Sequence, residues 1–70
     1  MSFMKASLLQ IRKAIKIGDI IQVKSVVGLV VQTRFSKYQA YDNWILSTAN
    51  GPFTVSALDI RLYGNIIQRV

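Results

Sequence analysis

The stretch from Ile17 to Val31 constrains the fold more than any other part of the chain. It reads Ile-Gly-Asp-Ile-Ile-Gln-Val-Lys-Ser-Val-Val-Gly-Leu-Val-Val, so glycines and a turn signal interrupt runs of β-branched residues. Such runs predict strands, and Gly18-Asp19 predicts the turn that precedes them. Gly28 predicts a sharp bend or a β-bulge at a corner of the sheet. We therefore expect strands over residues 20–26 and 29–35.

The rest of the chain continues this pattern of short strands and turns. Residues 44–49, 53–57 and 60–63 are predicted to be strands, and residues 66–70 a last strand or an edge addition. Asn50-Gly51 predicts a tight hairpin, Gly64-Asn65 predicts another, and residues 56–59 predict a short helical turn. Seventy residues are too few for a sandwich of two full sheets. We therefore expect a mainly β protein, a small five- or six-stranded barrel.

Residues 3–16 predict an amphipathic α-helix ahead of the barrel, within one domain that spans residues 1–70. Ser2 is a candidate cap for its start, and Gly18 for its stop. The helix either covers an open end of the barrel with its cations solvated, or presents a basic face to phosphates. Its apolar stripe is formed by Met4, Leu8, Ile11 and Ile15, and its basic face by Lys5, Arg12 and Lys16.

The charge balance is the strongest signal in the composition. Nine Lys and Arg face three Asp, which gives a net charge of +6. A small domain this basic is typical of proteins that meet polyanions such as DNA, RNA or an acidic surface. Solubility alone also explains such a charge, because repulsion keeps an apolar domain dispersed.

A polar loop at residues 36–43 combines cations with aromatic rings. Rings stack on bases and cations hold phosphates, so this mixture suits single-stranded nucleic acid. The alternative is a hairpin loop whose rings pack on the rim of the barrel. The candidate contact residues in and beside the loop are Arg34, Lys37, Tyr38, Tyr41 and Trp44, with Lys5, Arg12 and Lys16 as a second, electrostatic patch.

The inventory of reactive side chains argues against an enzyme. The chain has no His, Cys or Glu, so the usual general bases, thiol nucleophiles and zinc ligands are missing. Asp19, Asp42 and Asp59 lie in three separate turns, and the isolated glycines form no phosphate-binding loop. We expect no catalytic residues, no metal and no cofactor.

Location and association follow from hydropathy and size. The longest apolar run, residues 26–31, is far shorter than the ~18 residues that span a bilayer, so a cytoplasmic protein without a membrane partner is expected. A chain of 70 residues buries little surface, yet 51% of its residues are hydrophobic. We therefore expect a homo-oligomer as one way to cover apolar surface.

The residues also carry a family resemblance. Gly18-Asp19-Ile20-Ile21-Gln22-Val23, Val27-Gly28-Leu29-Val30-Val31, Trp44-Ile45-Leu46, Asn50-Gly51 and Leu58-Asp59-Ile60-Arg61-Leu62 form its pattern. Over residues 17–63 the chain resembles Src-homology-like small barrels with a KOW-type first hairpin, particularly stand-alone versions from bacteriophages. This resemblance implies contacts with RNA, polymerase, or a host or virion protein.

A second resemblance lies in the tail Ile60-Arg61-Leu62-Tyr63-Gly64-Asn65-Ile66-Ile67. It is similar to the second motif of Sm and Hfq-like proteins, which form RNA-binding rings from an N-terminal helix and five strands. Leu62 and Tyr63 stand between Arg61 and Gly64, where the Sm pattern has Arg directly before Gly. The resemblance implies a ring with a base pocket.

Together these observations predict a non-catalytic protein that binds nucleic acid, or a nucleoprotein complex, through basic and aromatic residues. The alternative is a structural or interaction protein of phage type that assembles with itself or binds a host protein complex. Both faces of the strand at residues 29–35 begin apolar, which favours this alternative.

Overall fold

The computed structural model describes residues 2–70 as a mainly β domain with an N-terminal helix. Five antiparallel strands form one sheet in the order β4-β3-β2-β1-β5. The elements in chain order are α1 (Leu8–Ala14), β1 (Ile20–Val23), β2 (Val26–Arg34), a 3-10 turn (Gln39–Tyr41), β3 (Asn43–Thr48), β4 (Gly51–Ser56), α2 (Ala57–Tyr63) and β5 (Gly64–Gln68).

The predicted closed barrel is wrong, because the sheet stays open. Its strand order places β4 and β5 at opposite edges, and no pairing joins these two strands within residues 2–70. The chain between them forms α2, which contacts both edge strands and α1. A helix at this place covers the core that a sixth strand would otherwise have to enclose.

The predicted N-terminal helix is present but shorter than residues 3–16. Ser7, not Ser2, caps α1: its hydroxyl accepts a hydrogen bond from the Gln10 N–H, and the Gln10 side chain accepts one from the Ser7 N–H. This reciprocal capping box satisfies two backbone donors and fixes the start of the helix. Ser2 instead forms an isolated β-bridge with Asn65 of β5.

The predicted strand at residues 60–63 is wrong, because these residues belong to α2. Ser56 and Asp59 form a capping box, in which the Ser56 hydroxyl accepts from the Asp59 N–H at 3.1 Å. Ala57 and Ile60, three residues apart, are both fully buried on one face of the helix. Gly64 ends α2 and starts β5, so the predicted Gly64-Asn65 hairpin is also wrong.

Gly28 lies inside β2 and does not make the predicted corner. The chain reverses at Lys24 and Ser25, where Lys24 has φ +57°, and the β-bulge falls between Val30 and Gln32. A Cβ atom on Gly28 would lie 2.8 Å from the Leu46 Cβ. This glycine therefore permits close packing of β3 on β2.

The Asn50-Gly51 hairpin is confirmed, with Ala49 and Asn50 in the turn between β3 and β4. The concave side of the sheet and the two helices enclose the core, in which Trp44 is the largest fully buried side chain. The other buried apolar residues are Phe3, Ile11, Ile15, Ile21, Val23, Val30, Leu46, Val55, Ala57 and Ile60.

Candidate functional site

The segment 35–42 connects β2 to β3 and contains three of the eight predicted contact residues, Lys37, Tyr38 and Tyr41. We call it the β2–β3 connection. Arg34 ends β2 and pairs with Asn43, the first residue of β3, so the two strands close the base of the connection. The 3-10 turn at Gln39–Tyr41 shapes its tip.

Arg12 and Asp42 anchor this connection to α1. The Nε of Arg12 donates to Oδ2 of Asp42 at 2.6 Å, and its Nη2 donates to Oδ1 at 2.7 Å. The same Nη2 donates to the Ser36 carbonyl at 2.6 Å, and the Ser36 N–H donates to Asp42 at 2.8 Å. Two parallel bonds between a guanidinium and a carboxylate are strong and directional.

The pair shifts the titration of both partners. The hydrogen bond from Arg12 is the largest cause that lowers the pKa of the Asp42 carboxyl below its ordinary value, although burial opposes it. The same bond raises the pKa of Arg12 above its ordinary value. The Asp42 carboxylate is 0% exposed, and it neutralises the charge of Arg12. Arg12 therefore acts as an anchor here, whereas the sequence predicted a free contact for phosphate.

Tyr38 and Tyr41 are the exposed aromatic residues of the connection. Their rings lie edge to face with centroids 6.3 Å apart, and the side chains are 62% and 68% exposed. The Nζ of Lys37 lies 5.8 Å from the centre of the Tyr38 ring. The structure therefore brings Lys37, Tyr38 and Tyr41 together at the surface, and Arg34 is exposed at the end of β2, three residues before Lys37 in the chain.

Trp44, which the sequence placed among the contact residues, is fully buried. Its Nε1–H donates to the Ile15 carbonyl at 3.3 Å, so it joins β3 to the end of α1. The edge of Phe35 packs on it at a centroid distance of 5.6 Å. A ring held in this way is a core residue.

Phe35 is the surface aromatic that the sequence reasoning missed. Its side chain is 50% exposed, and the guanidinium carbon of Arg12 lies 5.0 Å from its ring centre. Its position directly after Arg34, at the end of an alternating strand, was the available signal. Phe35 also lines a groove of about 380 Å³ with Arg12, Ile15, Lys16, Ile17 and Thr33.

The predicted second patch of Lys5, Arg12 and Lys16 is divided by the structure. Arg12 turns toward the β2–β3 connection, whereas Lys16 is exposed at the groove beside Phe35. Lys5 is exposed in the turn before α1. Two of the eight predicted contact residues, Arg12 and Trp44, therefore make contacts that hold elements of the fold together.

All three carboxylates are engaged inside the fold. Besides Asp42, the buried Asp19 accepts hydrogen bonds from the N–H groups of Lys16 and Val70, each at 2.9 Å. Asp59 accepts from the Ser56 N–H at 3.0 Å. Every acidic side chain is thus hydrogen-bonded to the backbone of the chain or to Arg12, so cations dominate the charges at the surface.

The outer edge of β4 is a second surface feature. The two residues on either side of a two-residue hairpin turn form a hydrogen-bonded pair, and the pattern then alternates along the strands. Thr48 and Gly51 flank the turn, so Pro52 and Thr54 direct their backbone groups away from β3. The Pro52 ring, which has no N–H, fits this alternation.

The outward positions of β4 are Pro52, Thr54 and Ser56. Pro52 has no N–H, and the Ser56 N–H donates to Asp59. Thr54 is therefore the residue of β4 that presents an outward N–H. Carbonyl oxygens of Pro52 and Thr54 point the same way. No strand within residues 2–70 pairs with this edge. At the opposite edge of the sheet, Ser2 pairs with Asn65 and covers part of β5.

The described part of the chain, residues 2–70, contains no group of three or more metal-ligating side chains. A helix long and apolar enough to cross a membrane was not found in residues 2–70.

Comparison with known protein families gave a match. The family described as the β-domain of the mechanosensitive ion channel matches residues 1–58, which is most of the 70-residue chain. Neither the curated proteins nor the solved structures gave a match.

Proposed function

Because the chain belongs to the family of mechanosensitive ion channel β-domains, we propose that it is a cytoplasmic, non-catalytic assembly domain. It joins further copies of itself through the open β4 edge of its sheet. This is the interaction role that the sequence offered as its alternative. The partner could instead be a host or virion protein, and the experiment below distinguishes this outcome from assembly with a second copy.

The unpaired edge of β4 carries the proposal. An edge strand with free backbone groups is a template for another strand, and natural proteins usually cover or interrupt it. Here the alternation places both the N–H and the carbonyl oxygen of Thr54 outward, and no strand within residues 2–70 pairs with them. The neighbouring Phe53 is 41% exposed, which adds apolar area beside the free backbone groups.

A groove beside this edge supports the same use. It has a volume of about 420 Å³ and lies between the β1–β2 turn and β4, with Val26, Val27, Pro52 and Phe53 among its lining residues. A strand added to β4 would place alternate side chains toward this groove, as in β-strand addition.

Substitution of Thr54 tests the proposal. Thr54→Pro removes the outward N–H without removing a bond between β3 and β4, because Thr54 belongs to a non-hydrogen-bonded pair. Thr54→Val is the matched control that keeps the N–H. Light scattering should show an oligomer for the parent and Thr54→Val, and a smaller species for Thr54→Pro at unchanged circular dichroism.

Three results would overturn this proposal. One is a parent protein that stays monomeric at all accessible concentrations. Another is an oligomer that Thr54→Pro leaves intact. The third is a parent monomer that forms a complex with a host or virion protein through the β4 edge, which would replace the second copy by that partner.

We also propose that the chain is related to the small barrels that its sequence resembles. The N-terminal helix and the five strands that the Sm and Hfq-like resemblance implied are both present, which supports it. Arg61, Leu62 and Tyr63 lie in α2, so the tail provides the end of a helix where that resemblance implied a base pocket. An open β4 edge is nevertheless what ring formation by such a domain requires.

A second candidate function is binding of single-stranded nucleic acid at the β2–β3 connection. The observation that favours it is the exposed pair of Tyr38 and Tyr41 beside Lys37, with Arg34 exposed at the end of β2. Exposed rings next to cations suit base stacking combined with phosphate contact. If two cations neutralise phosphates, the slope of log affinity against log salt should be about −1.4.

A salt titration with single-stranded RNA and DNA oligonucleotides tests this candidate. We expect affinity to fall with salt and Lys37→Gln to reduce the slope by about 0.7. Arg61→Gln, at the end of α2, is the control and should affect binding less. Salt-independent binding, or no binding to either nucleic acid, would contradict this function.

A further inference from the structure

We propose that the groove between α1 and the end of β2 docks on a bilayer that contains anionic lipid. The groove contains both an apolar and a cationic component. Its walls include Ile17 and Phe35, which are 57% and 50% exposed, and Lys16 lies between them and α1. This combination suits a surface that offers hydrocarbon and negative charge at the same depth.

The apolar part of the groove is packed against the core. Ile15, only 2% exposed, is one of its lining residues, and the Phe35 ring meets the Trp44 ring edge to face and contacts the guanidinium of Arg12. Ile17 lies three residues after the end of α1, inside the turn that hydrogen bonds between Lys16 and Asp19 close. Two half-exposed apolar side chains on one groove are covered when they enter the interface of a bilayer.

The charge at the groove is complementary to anionic headgroups. Arg12 is neutralised by Asp42, which leaves Lys16 as the exposed cation of the groove, with Arg34 and Lys37 flanking Phe35 in the chain. The nearest carboxylate along the chain, Asp19, is buried and accepts two backbone N–H groups. Each basic side chain near an anionic membrane strengthens binding by about fivefold.

The same features favour a bilayer over nucleic acid at this groove. Ile17 is aliphatic and offers no stacking face, whereas base binding relies on exposed rings such as those of Tyr38 and Tyr41. No membrane partner was predicted from the sequence, because the length of its apolar runs tests only for segments that span a bilayer. The inference rests on the proposed function only in that both take the chain as a β-domain of the mechanosensitive ion channel family.

Co-sedimentation with vesicles tests the inference on the whole chain. Vesicles of phosphatidylcholine with phosphatidylglycerol should bind the protein, and vesicles of phosphatidylcholine alone should bind it more weakly. Lys16→Gln should lower the partition coefficient by about fivefold, and Ile17→Ser should lower it by a similar factor.

The matched controls lie outside both grooves. Lys24→Asn removes a cation at a position with φ +57°, where Asn is tolerated, and Leu62→Ser removes an apolar side chain of α2 that is 57% exposed. Both should bind vesicles as the parent does. An equal loss in the controls means binding by net charge alone and overturns the inference.

Two further results would also overturn it. One is vesicle binding that both groove substitutions leave unchanged. The other is a loss of oligonucleotide binding in Lys16→Gln and Ile17→Ser without a loss of vesicle binding. Light scattering on the same variants separates this inference from the assembly proposal, because the groove substitutions should leave the oligomer intact.

Discussion

Arg12 and Asp42 form a two-bond ion pair between residues 30 positions apart, and this pair fixes the β2–β3 connection against α1. The Asp42 carboxylate is fully buried and also accepts the Ser36 N–H. Removing one member of a buried pair leaves a charge without its partner, which costs more than the pair contributes on its own.

Asp42→Ala should therefore lower the free energy of unfolding by about 2 kcal/mol, less than for a fully buried pair, because the Arg12 side chain is 25% exposed and water can solvate it. Asp42→Asn should cost less, because its amide oxygen can still accept from the Ser36 N–H and from Arg12. Urea unfolding followed by circular dichroism measures both values. Asp59→Asn, which changes a partly buried capping residue, is the control, and equal losses at both positions would contradict an anchoring role for the pair.

The lowered pKa of Asp42 predicts loss of stability in acid. Its folded pKa lies below the unfolded value, chiefly because of the Arg12 hydrogen bond, so the unfolded chain binds the proton first as pH falls. The contribution is complete above the ordinary carboxyl pKa of about 3.9 and is lost as pH falls through the folded value. Unfolding free energies measured across this window should decrease toward acid in the parent.

Asp42→Asn should give a flatter curve in the same window, since an amide does not titrate there. Asp59→Asn again serves as the control, and it should retain the slope that Asp42 produces. Parallel curves for the parent and Asp42→Asn would show that other groups cause the acid sensitivity.

Two glycines should differ in why they resist substitution. Gly28→Ala places a Cβ atom 2.8 Å from the Leu46 Cβ and 2.9 Å from the Ser47 carbonyl oxygen, so β3 must move away from β2. We expect a loss of about 2 kcal/mol from this overpacking. Gly51→Ala meets nothing within 4 Å but has φ +102°, so backbone strain alone should cost about 1 kcal/mol.

Thermal unfolding distinguishes the two causes. Gly51→Asn should recover part of the loss, because Asn tolerates positive φ better than Ala, whereas Gly28→Asn should be worse than Gly28→Ala. A loss at Gly28 no larger than that at Gly51 would mean that β3 can move without cost.

Much of the architecture could be predicted from local patterns. Alternating β-branched runs located the strands β1 to β4, and Asn50-Gly51 located a hairpin. Residues 60–63 could not be assigned in this way, because Ile-Arg-Leu-Tyr favours a strand while the capping box of Ser56 and Asp59 favours a helix. Burial of Ala57 and Ile60 against the core decides between them, and burial is a tertiary property.

The candidate site was predictable only in part. The exposed rings of Tyr38 and Tyr41 follow from a polar loop, and the structure confirms their exposure. Trp44 was misplaced because alternation shows which residues share a face but does not show which face meets the core. The pairing of Arg12 with Asp42 joins distant segments, so no local pattern could indicate it.

Trp44 is the only tryptophan, so its fluorescence can report on the proposed nucleic-acid site. Because it is fully buried, single-stranded oligonucleotides should bind without stacking on it or quenching it strongly. Tyr38→Ala and Tyr41→Ala should each weaken binding by about 1 kcal/mol or more, measured by fluorescence anisotropy of a labelled oligonucleotide.

Tyr63→Ala is the matched control, since Tyr63 is also an exposed ring, 47% accessible, with Lys24 Nζ 4.5 Å from its centre. It lies at the end of α2, away from the β2–β3 connection in the chain, and its loss should not change affinity. Strong quenching of Trp44, with affinity indifferent to Tyr38 and Tyr41, would mean that binding opens the core and that stacking on the exposed pair is not the mechanism.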